Sequence, residues 1–210
     1  MRDETRDRRR QEIAEAAYAV LAENGYGGAS MLAIARRAKA SNETLYNWFG
    51  DKRGLFRMLV EANAEAASGV LADSLAGGAD VAGTLERFGT ALTAAILGDR
   101  AVALNRAAIA DGSGELAEAL ASAGRESLLP LLDGIMSRIE PAGAFRTTSE
   151  MTATYLDLLI GDRQIRRVIG RLAAPDQTEC EALSREALRK FRLLLGAASE
   201  AALMPSKPAA

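Results

Sequence analysis

The sequence predicts an all-α fold in two parts, an N-terminal three-helix unit and a larger helical unit behind it. Three observations predict it. Alanine is abundant, β-branched residues are sparse, and no stretch alternates apolar with polar residues as a half-buried strand would. Apolar residues recur instead at helical spacing. Clusters of Gly, Pro, Asp and Ser interrupt that spacing at intervals suited to helices.

The elements follow in order. Ile13, Ala17, Val20 and Leu21 form one apolar face of a first helix from about Thr5 to Asn24. Asn24-Gly25 stops it, glycine suiting the left-handed residue past a helix end. Ser30 is placed to cap a short helix reaching about Ala38, with Ile34, Ala35 and Ala38 inward. Lys39-Ala40 makes a tight turn. Ser41 caps another short helix, Asn42 to Phe49, whose Leu45 and Phe49 face inward, and Gly50 ends it. Asp51 can cap a helix from Lys52 to about Ala76, which Gly77-Gly78 breaks. Further helices are expected at about Val81–Leu97, Arg100–Ala110, Glu115–Ile139, Thr148–Leu159, Arg163–Leu172 and Thr178–Gly196. Pro130 should kink the longest of these. The tail from Met204 to Ala210, with two prolines, is expected to fray. The domain boundary is expected at 50/51, with residues 1–50 as the first domain, 51–210 as the second and the helix over 51–76 joining them.

Composition narrows the chemistry. The 210 residues are 49% hydrophobic and 26% charged, an ordinary globular balance. There is no histidine, which excludes histidine-based acid–base catalysis, Ser-His-Asp triads and histidine metal sites. No cofactor and no metal are implied. Cys180 is the only cysteine, so no intrachain disulfide can form; a lone thiol without an enforced basic neighbour is read as inert. A helical enzyme using Glu115, Glu118, Glu126 and Glu140 is a distant alternative, because these carboxylates are spread over solvent-like faces. No apolar run is long enough to cross a membrane, and the charged start lacks an apolar signal core, so a cytoplasmic location is expected.

Charge is uneven. Residues 1–57 hold 11 Lys and Arg against 8 Asp and Glu, while the remainder holds 15 against 20. A basic head on an acidic body suits contact with nucleic acid through one end only. Two short helices joined by about three residues and braced by a longer one make a helix-turn-helix, whose second short helix enters the major groove of DNA. Asn42, Thr44, Tyr46, Asn47 and Trp48 remain for the outer face of that helix. Asn pairs with adenine edges, Thr offers a hydroxyl or meets a thymine methyl, and Tyr and Lys suit phosphate oxygens. Trp48 can stack on DNA or pack on the following helix.

Residues 10–60 resemble the DNA-binding domain of the TetR (tetracycline-repressor-type) family. The resemblance is carried by Ser30-Met31-Leu32-Ala33-Ile34-Ala35-Arg36-Arg37-Ala38 and then by the run from Ser41 to Phe56, in which Thr44-Leu45-Tyr46, Phe49 and Lys52 are followed by Leu55-Phe56. It implies that Ser30 and Thr44 contact backbone or base edges and that Tyr46 and Lys52 bind phosphate. It also implies that Asn42, Asn47 and Trp48 set sequence preference; Ser41 belongs to the same DNA-binding set. One departure stands out. The family usually has glycine where this chain has Lys39, and a non-glycine residue at positive φ costs on the order of 1 kcal/mol. The resemblance further implies a repressor that is released from a palindromic operator by a small-molecule effector. The second domain would bind that effector and form a homodimer through helices near 148–159 and 178–196. The alternative is a DNA-binding regulator without an effector.

Other residues carry weaker expectations. Arg6, Arg8, Arg9 and Arg10 could reach a minor groove, but the interleaved Asp3, Glu4 and Asp7 favour a solvated helix start. Arg163, Arg166, Arg167 and Arg171 read as a solvated or ion-paired face rather than an anion site. Phe88, Leu92, Ile96, Met136 and Tyr155 could line an apolar effector pocket, with Asn105 and Arg106 as its polar groups. Core packing explains most of them equally well.

Overall fold

The computed structural model describes residues 2–196, with side chains described at residue 6 and from residue 8 onward. No strand occurs among the described residues. The helices are α1 (Arg2–Gly28), α2 (Met31–Arg37), α3 (Asn42–Phe49), α4 (Lys52–Gly77), α5 (Val81–Leu97), α6 (Asp99–Ala110), α7 (Glu115–Leu120), α8 (Glu126–Met136), α9 (Thr148–Ile160), α10 (Arg163–Val168) and α11 (Gln177–Leu195). The tail from Met204 to Ala210 lies outside the described residues.

Most boundaries follow the residues that announce them. Ser30, Ser41 and Asp80 cap α2, α3 and α5 through side-chain oxygens that accept backbone N–H groups of the first turn. Residues Thr147 and Glu150, and likewise Asp176 and Glu179, form reciprocal capping boxes at α9 and α11. The first helix is longer than expected, but it leaves helical geometry at Gly25 (φ 64°, ψ 177°), where the stop signal lies. Two expectations need correction. The helix expected over 115–139 is three pieces, because a π turn at Ala121–Arg125 separates α7 from α8. Pro130 sits inside α8, where it removes the donor that would meet the carbonyl of Glu126. The helix expected over 163–172 stops at Val168, and Gly170 follows with φ 75°.

Packing divides the chain into two units whose bounds differ from the 50/51 boundary expected. The first unit comprises residues up to Asn63 together with Asp99–Gly124. Its core joins Ile13, Ala17, Ile34, Leu45 and Phe56 to Leu104, Ala107 and Leu116, so α6 and α7 belong with the helix-turn-helix. The α1 helix packs on α2 and α6. The Tyr18 hydroxyl, buried in this core, donates to the carbonyl of Leu59 and so ties α1 to α4.

The second unit comprises Ala64–Gly98 and the chain from Arg125. Here α11 lies against α5 and α9 around Leu71, Leu85, Phe88, Tyr155, Phe191 and Leu195. Three of its buried hydroxyls donate to backbone carbonyls. The Tyr155 hydroxyl donates to the Leu85 carbonyl at 2.6 Å, Ser184 donates to the Glu86 carbonyl at 2.7 Å, and Thr93 to the Gly89 carbonyl at 2.8 Å. Arg167 is not part of a solvated face. It is buried, and its guanidinium donates to the carbonyls of Leu97 at 2.6 Å and Leu172 at 2.9 Å. Leu97 ends α5, so this charge satisfies a helix C-terminus, the end that favours a cation. Arg163 and Arg166 remain near the surface, the latter 3.9 Å from Asp162.

Candidate nucleic-acid interface

The candidate interface is built on α3. Leu45 is fully buried and Phe49 half-buried, and both anchor the inner side of the helix to the first core. Asn42, Tyr46 and Asn47 are exposed, with Tyr46 at 49%, while Thr44 and Trp48 are half-buried. The outer side of α3 therefore carries two amides and a phenol on a helix fixed from beneath.

Capping fixes where this helix starts. Ser41 Oγ accepts the Thr44 N–H at 3.0 Å and shares a hydrogen bond of 2.7 Å with the Thr44 hydroxyl. Such a cap contributes about 1 kcal/mol. Thr44 thus stands half-exposed with its hydroxyl held against Ser41. Ser30 does the same work for α2, accepting the Ala33 N–H at 3.1 Å, and is exposed. At the other end, Asp51 caps α4 by accepting the Gly54 N–H at 2.8 Å. The α3–α4 corner is so tight that a Cβ at Gly54 would lie 1.9 Å from the Phe49 carbonyl oxygen, so only glycine fits.

Trp48 packs against the first core, edge-on to Phe49 at 6.2 Å between centroids, with the Arg6 guanidinium 5.9 Å from its ring. Lys52 is half-buried at the start of α4. Its ammonium donates to the Tyr26 carbonyl and lies 3.6 Å from the centre of the Tyr26 ring. Burial pushes its pKa below the usual lysine range, and Asp111 opposes that shift.

The turn between α2 and α3 follows a Schellman pattern. The Ala40 N–H reaches the Ala35 carbonyl at 2.9 Å, and the Lys39 N–H reaches the Arg36 carbonyl at 3.2 Å. This places Lys39 at the left-handed position, φ 52°, the only positive φ on a non-glycine residue among those described. Two arginines outside the expected DNA-contacting set also bear on this region. Arg9 on α1 donates to the Lys39 carbonyl at 2.7 Å and pairs with Glu12 at 2.6 Å. Arg36 is exposed at the end of α2, with no ion pair among the described residues, while its neighbour Arg37 pairs with Glu23. The basic run around residue 9 was the available signal for Arg9, but its partner lies 30 positions away.

The pocket candidates belong to two different units. Phe88, Leu92, Met136 and Tyr155 are buried in the second core, with Ile96 packed against it. Asn105 and Arg106 lie on α6 in the first unit, and the Asn105 amide donates back to the Ala101 carbonyl at 2.9 Å.

A capped, outward-facing α3, a turn closed at Lys39 and a helical body have the arrangement of a helix-turn-helix regulator. Residues 13–59 match the model of the bacterial regulatory proteins of the tetR family. Residues 83–194 match that of the AefR-like transcriptional repressor C-terminal domain. The chain belongs to the TetR family of transcriptional regulators, which are transcription factors rather than enzymes.

Solved structures share the fold. A regulator assigned to the same family from Mesorhizobium loti has 22% identity and a TM-score of 0.70, over 91% of this chain and 98% of that one. A TetR regulator from Agrobacterium tumefaciens has 24% identity and a TM-score of 0.68, over 93% and 98%. The regulator FadR from Bacillus subtilis, solved in complex with stearoyl-CoA, has 16% identity and a TM-score of 0.62, over 86% and 96%. No curated protein matches the chain. No helix among the described residues is long and apolar enough to cross a membrane.

Proposed function

We propose that this regulator is a repressor released from a palindromic operator by a largely apolar small molecule. The observation that carries the DNA half is the outer side of α3, where Asn42, Tyr46 and Asn47 are exposed around a helix capped by Ser41. In this reading Asn42, Asn47 and Thr44 meet base edges, Tyr46, Ser30 and Ser41 meet the backbone, and Trp48 lies at the margin against the sugar edge. Lys52 offers phosphate the ammonium protons that Tyr26 leaves unused. A homodimer through α9 and α11 would set two copies of α3 on two half-sites.

A DNA site enriched from a random-sequence pool is expected to be a pseudo-palindrome; a single asymmetric site would sink the dimeric reading. Thr44→Ala is expected to relax preference at one position by about 1–3 kcal/mol. Lys52→Ala is expected to weaken binding to all sequences alike and to flatten its salt dependence. An unchanged slope would confine Lys52 to its contact with Tyr26.

The effector half rests on the apolar second core and on the stearoyl-CoA complex of the Bacillus subtilis FadR. The effector would favour a state with the wrong spacing between recognition helices, acting through differential affinity alone. A thermal-shift screen against long-chain acyl compounds tests this. The second reading, a regulator without an effector, is favoured by the burial of Phe88, Leu92, Met136 and Tyr155 in a core where the Tyr155 and Ser184 hydroxyls are already bonded to backbone carbonyls. Absence of any stabilising compound, with DNA binding intact, would select it.

A further inference from the structure

The turn of the helix-turn-helix is built on an unfavourable residue. Lys39 occupies the left-handed position that closes α2, where its Cβ crowds the backbone. Its N–H and the next residue's N–H are spent on the Schellman bonds. Its carbonyl accepts from the Arg9 guanidinium at 2.7 Å. Arg9 is held for this contact. The other arm of its guanidinium is paired to Glu12 at 2.6 Å, and its side chain is only 32% exposed. Arg9 and Glu12 lie on α1, the helix on which α2 packs. The bond therefore ties the strained turn to the helix on which α2 packs, and α2 in turn packs on α3.

We infer that Arg9 is a positioning residue for DNA recognition: it locks Lys39 in the left-handed conformation and thereby fixes the angle at which α3 is presented. If Lys39 relaxes to an ordinary backbone conformation, both Schellman bonds are lost and α3 swings relative to α2. Glycine at this position needs no brace, because it takes positive φ freely. The requirement for Arg9 is thus conditional on the residue at position 39, and that condition separates bracing from direct contact with phosphate.

The test compares wild type, Arg9→Ala, Lys39→Gly and the double variant. The first measurement is amide hydrogen exchange at residues 39 and 40, which needs no DNA. The second is the affinity for a duplex carrying the site enriched by the wild-type protein, taken across a range of salt. Arg9→Ala is expected to speed exchange at both amides and to weaken DNA binding about tenfold, the scale of one hydrogen bond to a charged group. In the Lys39→Gly background, the same change should alter affinity by about twofold or less, as expected when the two residues act through one element. Equal losses in both backgrounds, with a flatter salt dependence, would make Arg9 a phosphate contact and overturn the inference. So would unchanged exchange in Arg9→Ala. If no duplex is enriched, the DNA reading fails, and the exchange data still decide the brace.

Discussion

At the scale of single residues, Cys180 shows how surroundings decide chemistry. It is the only cysteine, and its side chain is buried at the start of α11. Burial pushes the thiol pKa up, a hydrogen bond with Thr93 opposes this, and the nearby carboxylates of Asp176, Glu179 and Glu181 push it further up. Little thiolate exists at neutral pH, and the thiolate is the nucleophile. Native protein is expected to resist a maleimide or iodoacetamide that labels it fully in urea, with mass spectrometry as the readout. Rapid labelling of folded protein would contradict the burial argument. The lack of an obligatory basic neighbour leads to the same expectation from the sequence alone. Lys39 was legible too, since the turn demands a left-handed residue and the chain supplies no glycine. The Arg9 brace was not, because nothing local couples residues 30 positions apart. Arg167 was misread for a related reason: a row of arginines looks solvated until one of them is seen to end a distant helix.

At the scale of elements, α5 and α11 approach so closely that one missing methyl group decides the packing. A Cβ at Gly89 would lie 2.3 Å from Ser184 Oγ and 2.7 Å from the Tyr155 hydroxyl oxygen. Both oxygens are fixed by hydrogen bonds to α5 carbonyls, and both residues are fully buried, so neither can yield without breaking a bond. Gly89→Ala is expected to destabilise the protein by about 1–3 kcal/mol, as overpacking does. This contrasts with the usual gain when alanine replaces glycine in a helix. A urea midpoint equal to or above wild type would show that the helices can separate at no cost. Ser41→Ala belongs to this scale as well. It removes the cap of α3 and should cost about 1 kcal/mol in chemical unfolding; no change would mean that Thr44 satisfies the helix end alone.

Caps are also why the elements could be read so well. Ser30, Ser41, Asp51 and Asp80 each precede an apolar run, and each accepts an N–H of the first turn. The break between α7 and α8 has no such marker, because Ala121 to Arg125 is acceptable helix composition and the π turn replaces one regular hydrogen-bond pattern with another. The two packing units escaped for a different reason. An amphipathic face at Leu104, Ala107 and Ala108 says that α6 is buried on one side, but not that the first core is what buries it.

At the scale of the whole molecule, each unit encloses a tyrosine whose phenol is tied to a backbone carbonyl. Tyr18 donates to Leu59 in the first unit and Tyr155 to Leu85 in the second. Burial is the main cause that raises both phenol pKa values well above the ordinary one; Arg100 opposes the shift at Tyr18, and Ser184 opposes it at Tyr155. The unfolded chain ionises its tyrosines near pH 10. Above that pH the unfolded state binds fewer protons than the folded state, so stability present below the unfolded pKa is lost as pH rises toward the folded one. The urea midpoint of wild type is therefore expected to fall as pH rises above about 10. Lysine deprotonation acts over the same range, but it acts equally on every variant. Tyr155→Phe should lower the unfolding free energy at pH 8 by about 1 kcal/mol for the lost bond, and its midpoint should then fall less than that of wild type as pH rises. Tyr18→Phe should behave likewise. Midpoints that fall in parallel in all three proteins would show that neither phenol is protected, and that the buried hydroxyls do not hold the two cores in the way their geometry requires.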